Sequence, residues 1–257
     1  MNSLRSQIPT LWKIPPLLIP AMLTAKAVNQ ASFWAADQLY PRFSQLDPDQ
    51  VFLHISLHHL TQLLLTLVLM APAASLHPQI QFKEFGFNLK QLIFSLKWVL
   101  SFALVWSLIQ FGIGYLLVRS GFTAPSEYPL NTRNLISIYS FQIFLSGTGE
   151  EPLYRGLIMT VMLVGWQGLY RNPRRLAAAA VLGSTLVFMV DHINFSLAPL
   201  AVTHFNLLQQ LTVMIFGFFY GWLFWKTDSL SGPILAHGIL NGIIITSGIL
   251  LPVMIVC

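Results

Sequence analysis

Two adjacent glutamates and an arginine, Glu150, Glu151 and Arg155, stand in the stretch Ser-Gly-Thr-Gly-Glu-Glu-Pro-Leu-Tyr-Arg-Gly of residues 146–156, flanked by apolar sequence. A carboxylate shielded from bulk water is a general base for a water molecule, or a metal ligand. Further along, His192 follows Phe188 by one helical turn with Asp191 beside it, and His237 and Asn241 lie four apart, all in apolar runs. A carboxylate with an imidazole activates water, and an imidazole with a carboxamide donates hydrogen bonds to an oxyanion. No serine, cysteine or threonine stands out as a nucleophile, so direct attack by water is the simpler chemistry. Glu150, His192 and His237 also make a three-ligand set for a catalytic zinc, although the H-E-x-x-H motif is missing. His54 and His58, one turn apart and followed by His59, form a second metal pair with no matched carboxylate. Each feature has a plainer reading: charges solvated at a membrane surface, a structural histidine, polar contacts between helices.

The chain that must position these groups is built for lipid. Of 257 residues, 55% are hydrophobic and 9% charged, with a mean hydropathy of +0.65, against roughly 25% charged in a soluble domain. These values predict an all-α, polytopic integral membrane bundle of seven or eight transmembrane helices. The chain reads as one membrane domain over 1–257, with helices of unassigned role in 1–134 and motif-bearing helices in 135–257. The net charge of +5 sits in Lys and Arg scattered at segment ends, a topology signal that argues against a nucleic-acid partner. The single cysteine, Cys257, leaves no disulfide framework or thiolate cluster within the chain, and as the last residue it is not a prenylation box.

Apolar segments are predicted at 14–36, 51–73, 92–118, 135–165, 176–198, 205–225 and 233–256. The first contains Pro15, Pro16, Pro20 and Lys26, so it spans, lies in the interface or kinks; Arg5, Lys13 and Ala25-Lys26-Ala27 also fit a signal peptide. The second closes at Pro72. Residues 135–165 are too many for one untilted crossing. Poor helix formers at 146–149, Pro152 and a capping box from Thr148 to Glu151 place a new helix start near Thr148, with one kinked helix as the alternative. On that helix Glu151 and Arg155 share a face and neutralise each other, whereas Glu150 is turned about 100° away and needs a partner from another helix. If residues 135–165 cross once, the basic loops 77–91, 166–175 and 226–232 fall on one side, cytoplasmic by the positive-inside rule. Gly217 with Gly221 and Gly238 with Gly242 suit close helix contacts. Counting from the basic loops at about 1.5 Å per residue puts Glu150 and His192 roughly 24 Å along their helices, but His237 only a turn into its own.

Three motifs, Glu150-Glu151-Pro-Leu-Tyr-Arg155, Phe188-Met-Val-Asp-His192 and His237-Gly-Ile-Leu-Asn241, resemble the EExxxR, FxxxH and HxxxN motifs of the CAAX protease and bacteriocin-processing (Abi) family. Its eukaryotic members include the type II CAAX prenyl endopeptidase. The resemblance implies an intramembrane endopeptidase in which Glu150 and His192 deprotonate water, His237 and Asn241 stabilise the oxyanion, and Glu151, Arg155 and Phe188 support them. No cofactor is required on that mechanism; the older metalloprotease label uses the same residues with zinc. Pro152 and Asp191 depart from the family pattern. The implied partners are membrane lipid and a membrane-associated or prenylated peptide or protein substrate. The alternative function is a non-catalytic membrane protein, for immunity or scaffolding, that uses the same residues as interhelical contacts; a proton-coupled transporter is a third.

Overall fold

Seven long helical stretches carry the chain in a computed structural model that describes residues 14–76, 80–122, 128–197 and 200–256. They are α1 (Ile14–Phe43), α2 (Leu53–Leu76), α3 (Leu92–Arg119), α4 (residues 132–165), α5 (Pro173–Asp191), α6 (Leu207–Thr227) and α7 (Ser231–Val256). Helices α2, α3, α5, α6 and α7 are long and apolar enough to cross a bilayer, the make-up of a multi-pass integral membrane protein. Among the described residues the bundle is all-α except for one antiparallel hairpin, β1 (Asn194–Leu197) and β2 (Leu200–His204), with Phe195 opposite Val202. Arg5, Lys13 and Cys257 lie outside the described residues.

Helix α1 runs unbroken through Pro20 and buries Ala25 and Val28 in a core shared with Leu153, Met159 and Trp166. It is a packed member of the bundle, longer than the segment predicted. Helix α2 passes Pro72 instead of closing there. Its first turn is held by the Asp47 carboxylate, which accepts from the N–H groups of Val51 (3.0 Å), Phe52 (2.8 Å) and Leu53 (2.8 Å). A carboxylate there satisfies orphan donors and complements the helix dipole. Leu100, Leu104 and Leu108 of α3 are exposed, a face for lipid, while Val99, Ala103 and Trp106 pack on Phe216 and Tyr220 of α6 and Leu240 of α7.

The predicted break near Thr148 does not occur. Ser146, Gly147 and Pro152 all keep right-handed helical angles, and α4 continues through them with π-helical turns at Phe141–Ser146 and Pro152–Met159. The single-helix alternative holds. Thr148 donates to the Phe144 carbonyl (2.6 Å) instead of capping; the working N-cap is Asn131, whose side chain accepts from Asn134 N at 2.9 Å. Pro152 is the first residue of the second π-turn and follows the α-helical stretch Gly147–Glu151. Helix α5 stops at Asp191, well before the predicted 198, with His192 as its C-cap. Lys26 of α1 donates to the carbonyls of Asp191 (2.7 Å) and Ile193 (2.8 Å), holding the chain at this helix end.

Residues 80–91 and 226–232 meet at one end, where Leu230 N donates to Gly86 O and Asn88 Nδ2 to Asp228 O, both at 2.8 Å. At the other end Asn134 Nδ2 bonds Asp49 Oδ2 at 2.9 Å and Arg133 pairs with the same carboxylate. The depth mismatch of His237 is resolved by helix offset. Gly156 packs against Leu230 and Phe85, so α4 runs on beyond the level at which α7 begins. The α6–α7 boundary stays where expected.

Candidate active site

Helices α4 and α7 approach closely because Gly238 lies directly on the Ile143 backbone, where a side chain would collide. That contact brings His237 onto the two glutamates. His237 Nδ1 is 2.8 Å from Glu151 Oε1, and its Nε2 is 3.9 Å from Glu150 Oε2. Glu151 also pairs with Arg155 (Oε2 to Nη1, 3.2 Å), and both side chains are 0% exposed. Arg155 lies over the rings of Phe188 (4.7 Å) and Tyr220 (5.3 Å) and donates to the Gly217 carbonyl at 3.3 Å. The expected division therefore appears in the geometry: Glu151 and Arg155 are a buried pair, and Glu150 is turned away from them.

The partner of Glu150 from another helix is His59 of α2, with Nε2 3.1 Å from Glu150 Oε1. Its other nitrogen, Nδ1, faces the Ile55 carbonyl at 2.9 Å and must donate to it. The bond to Glu150 then needs a proton on His59 Nε2 or on the carboxyl, so one proton is shared between the two groups. The ring is wedged against Gly149, whose added Cβ would stand 2.7 Å from His59 Cβ, and it packs edge-on to Phe141. His192 faces the same cavity as Glu150 without a direct hydrogen bond to it among the described residues. Its Nδ1 donates to Phe188 O at 2.8 Å, leaving Nε2 as an acceptor. Asp191 does not line that cavity; it accepts from Asn29 (2.8 Å) and Tyr154 and pairs with Lys26 (3.3 Å), which fixes the end of α5 and hence His192.

Asn241 Nδ2 donates to Gln142 Oε1 (2.8 Å) and to Ser146 Oγ (3.0 Å), and that hydroxyl lies 3.1 Å from His237 Nε2. His237 and Asn241 thus converge on one oxygen. Sequence reading passed over Ser146, Gln142 and the role of His59. The only signal for His59 was a polar residue in an apolar helix, and its partner lies 91 positions away.

These groups line an apolar cavity of about 670 Å³ between α3, α4, α6 and α7, with Trp106, Ile113, Leu211 and Phe216 on its walls. Residues 132–243 match the family model described as type II CAAX prenyl endopeptidase Rce1-like. This segment is similar to that family. Comparison with curated proteins and with solved structures finds no match. The matched segment starts at the first turn of α4, ends within α7 and contains all three motifs; His59 lies outside it. The family implies a membrane protease.

Glu150, His192 and His237, the three ligands expected of a zinc, border one cavity. Among the described residues no group of three or more His, Cys, Asp or Glu side chains is gathered to hold a metal. His237 has one nitrogen on Glu151 and the other beside Ser146, and Nδ1 of His192 is taken by a backbone carbonyl. His54 and His58 are likewise apart in role: His54 bonds Asp37 at 2.8 Å and His58 stacks on Phe33. No step is derived through a metal.

Proposed function

We propose that the chain is an intramembrane endopeptidase that hydrolyses a peptide bond of a membrane-associated substrate with water activated by Glu150 and His192. The observation that carries this reading is the convergence of His237 Nε2 and Asn241 Nδ2 on a single oxygen at 3.1 and 3.0 Å. Donors at about 2.7–3.1 Å from one point are what an oxyanion site requires. In the resting arrangement the point is held by Ser146 Oγ, which a substrate carbonyl oxygen replaces.

Water stands between Glu150 Oε2, which has no hydrogen-bond partner among the described residues, and His192. As its oxygen attacks the carbonyl carbon, Glu150 takes its proton and the carbonyl oxygen becomes the oxyanion. Asn241 donates to that oxyanion from Nδ2. His237, with both nitrogens protonated, donates to Glu151 from Nδ1 and to the oxyanion from Nε2. The tetrahedral intermediate collapses, the C–N bond breaks, and the proton on Glu150 passes to the leaving nitrogen. His59 holds the other oxygen of Glu150 and is a positioning residue. The apolar cavity is the reason to expect a substrate bearing lipid or an apolar segment.

A substrate is found by comparing membrane-protein fragments from cells carrying wild-type and Glu150→Ala protein. On that substrate Glu150→Ala and His192→Ala lose about 10²–10⁴ in rate, and Asn241→Ala about 10²–10³, without unfolding. Wild-type cleavage by purified Glu150→Ala refutes the mechanism.

One second reading has its own observation. Ser146, His237 and Glu151 are linked at 3.1 and 2.8 Å in the order of a nucleophilic triad. Ser146→Ala separates the two. Removal of a nucleophile costs on the order of 10⁶ in rate, whereas water attack survives loss of a hydroxyl that merely occupies the oxyanion position.

A further inference from the structure

Glu150 has a second cavity behind it. About 370 Å³ of space lies between α1, α2 and α5, bordered by Asn29, His58, His59, Gln62, Glu150 and His192. Its rim includes Asn194 and His204 of the hairpin, both exposed, so it opens at the end of the bundle where α5 stops. Its walls are polar where those of the first cavity are apolar. Five atoms of its lining residues are buried with no hydrogen-bond partner among the described residues: Asn29 Oδ1, His58 Nδ1, Gln62 Oε1, Glu150 Oε2 and Asp191 Oδ1, the last within 3.3 Å of the Lys26 ammonium. The Gln62 side chain is 1% exposed and points into this space from the middle of a helix whose opposite face is apolar.

Unpaired buried polar atoms are costly in a bundle surrounded by hydrocarbon, and the partner that satisfies them has to be small and both donate and accept. Water meets all three requirements. At about 30 Å³ per molecule, the space accommodates roughly a dozen. His59, Glu150 and His192 border both cavities and form the partition between them.

We propose that this chamber is a hydrated site that delivers the hydrolytic water to Glu150 from the hairpin end, on the side opposite the apolar cavity that receives the substrate. The inference rests on the hydrolase reading for its purpose, but its hydration is measured without any turnover. Substrate and water then reach the carboxylate from different faces, so a lipid-bearing substrate filling the first cavity does not block its co-reactant.

The test uses the full chain in liposomes, with the sole cysteine, Cys257, replaced by alanine. Single cysteines are placed at Gln62 and, as a second site, His58. Controls are Leu64→Cys, 62% exposed on the lipid face of the same helix, and Met70→Cys, 0% exposed in the core. A charged methanethiosulfonate reagent reacts with thiolate in contact with water, so Gln62→Cys and His58→Cys are expected to label at least about tenfold faster than both controls. Labelling no faster than at Met70 overturns the chamber. Gln62→Leu, which removes the acceptor and dries the wall, is expected to lower kcat about tenfold or more with KM unchanged. Rapid labelling together with a wild-type kcat in Gln62→Leu overturns the delivery role. If Glu150→Ala cleaves normally while the labelling holds, it is the hydrolase reading that has failed and not the hydration of the chamber.

Discussion

Gly149→Ala tests whether His59 positions Glu150. The new Cβ would stand 2.7 Å from His59 Cβ and 2.8 Å from its Cδ2, against a contact distance of about 3.5–4.0 Å between carbons. The histidine has to move by roughly 1 Å. Phe141 and His58 both pack edge-on at 4.9 Å, which limits where its ring can go. The 3.1 Å bond to Glu150 is then lost. A hydrogen bond to a charged group is worth about 1.5–3 kcal/mol, so the expected loss in kcat/KM is about 10- to 150-fold. Stability changes less: overpacking costs about 1–3 kcal/mol, and replacing a helical glycine returns about 1 kcal/mol. The assay is a double-mutant cycle on cleavage rate, with thermal unfolding in detergent measured in parallel. His59→Gly alone shows a similar rate loss, and adding Gly149→Ala to it costs no more than about twofold, because both the Cβ and the ring that the new methyl would meet have gone. Equal losses from Gly149→Ala in both backgrounds refute the positioning role of His59.

Arg155→Ala leaves Glu151 buried beside His237 without its counter-charge, and a fall of about 3–5 kcal/mol in unfolding free energy is expected from denaturant titration. Asp49 is held below the ordinary aspartate range, first by the Asn134 amide and then, against an opposing desolvation, by Arg133. A lowered folded pKa gives stability that is present above the unfolded value of about 3.9 and fades as pH falls through the folded one. Asp49→Asn therefore lowers the unfolding midpoint at pH 7, and the difference from wild type shrinks in acid. Since the donor set does not gather three ligands, chelation is expected to leave cleavage unchanged within about twofold; loss restored by added zinc refutes that expectation.

Composition and charge spacing carried the fold class and the local pairing on α4. The Glu151–Arg155 bond follows from helical geometry alone, because four residues return the chain to the same face. Glu150 was readable as the odd charge, but the identity of its partner was not, since contact between residues 59 and 150 is a property of packing. The break expected at Thr148 failed for a related reason. Glycine, proline and a capping box are local signals, whereas packing of α4 against α2 and α7 holds it helical through all of them. Asp191, an oddity beside His192 in sequence, is explained only once Lys26, Asn29 and Tyr154 surround it. Ser146 escaped notice because a serine in an apolar helix is ordinary; what distinguishes it is being met by two side chains of α7.

The π-turns of α4 also set how this gene can change in length. Each wide turn carries more residues than an α-turn, so deletion of one residue within Phe141–Ser146 would restore a regular helix. A wide turn still closes about one revolution, so that deletion would leave the parts before and after it in nearly the same register, whereas a deletion in an α-helical turn would rotate them by about 100°. Asn131 and Asn134 anchor the near end of the helix, and Glu150 lies on the far side of that register. A membrane span ordinarily tolerates a residue gained or lost, since lipid does not read register. In this helix a deletion outside the wide turn would dislocate Glu150 from His59 while leaving hydropathy untouched, so between Asn131 and Glu150 single-residue deletions are expected to accumulate only within Phe141–Ser146.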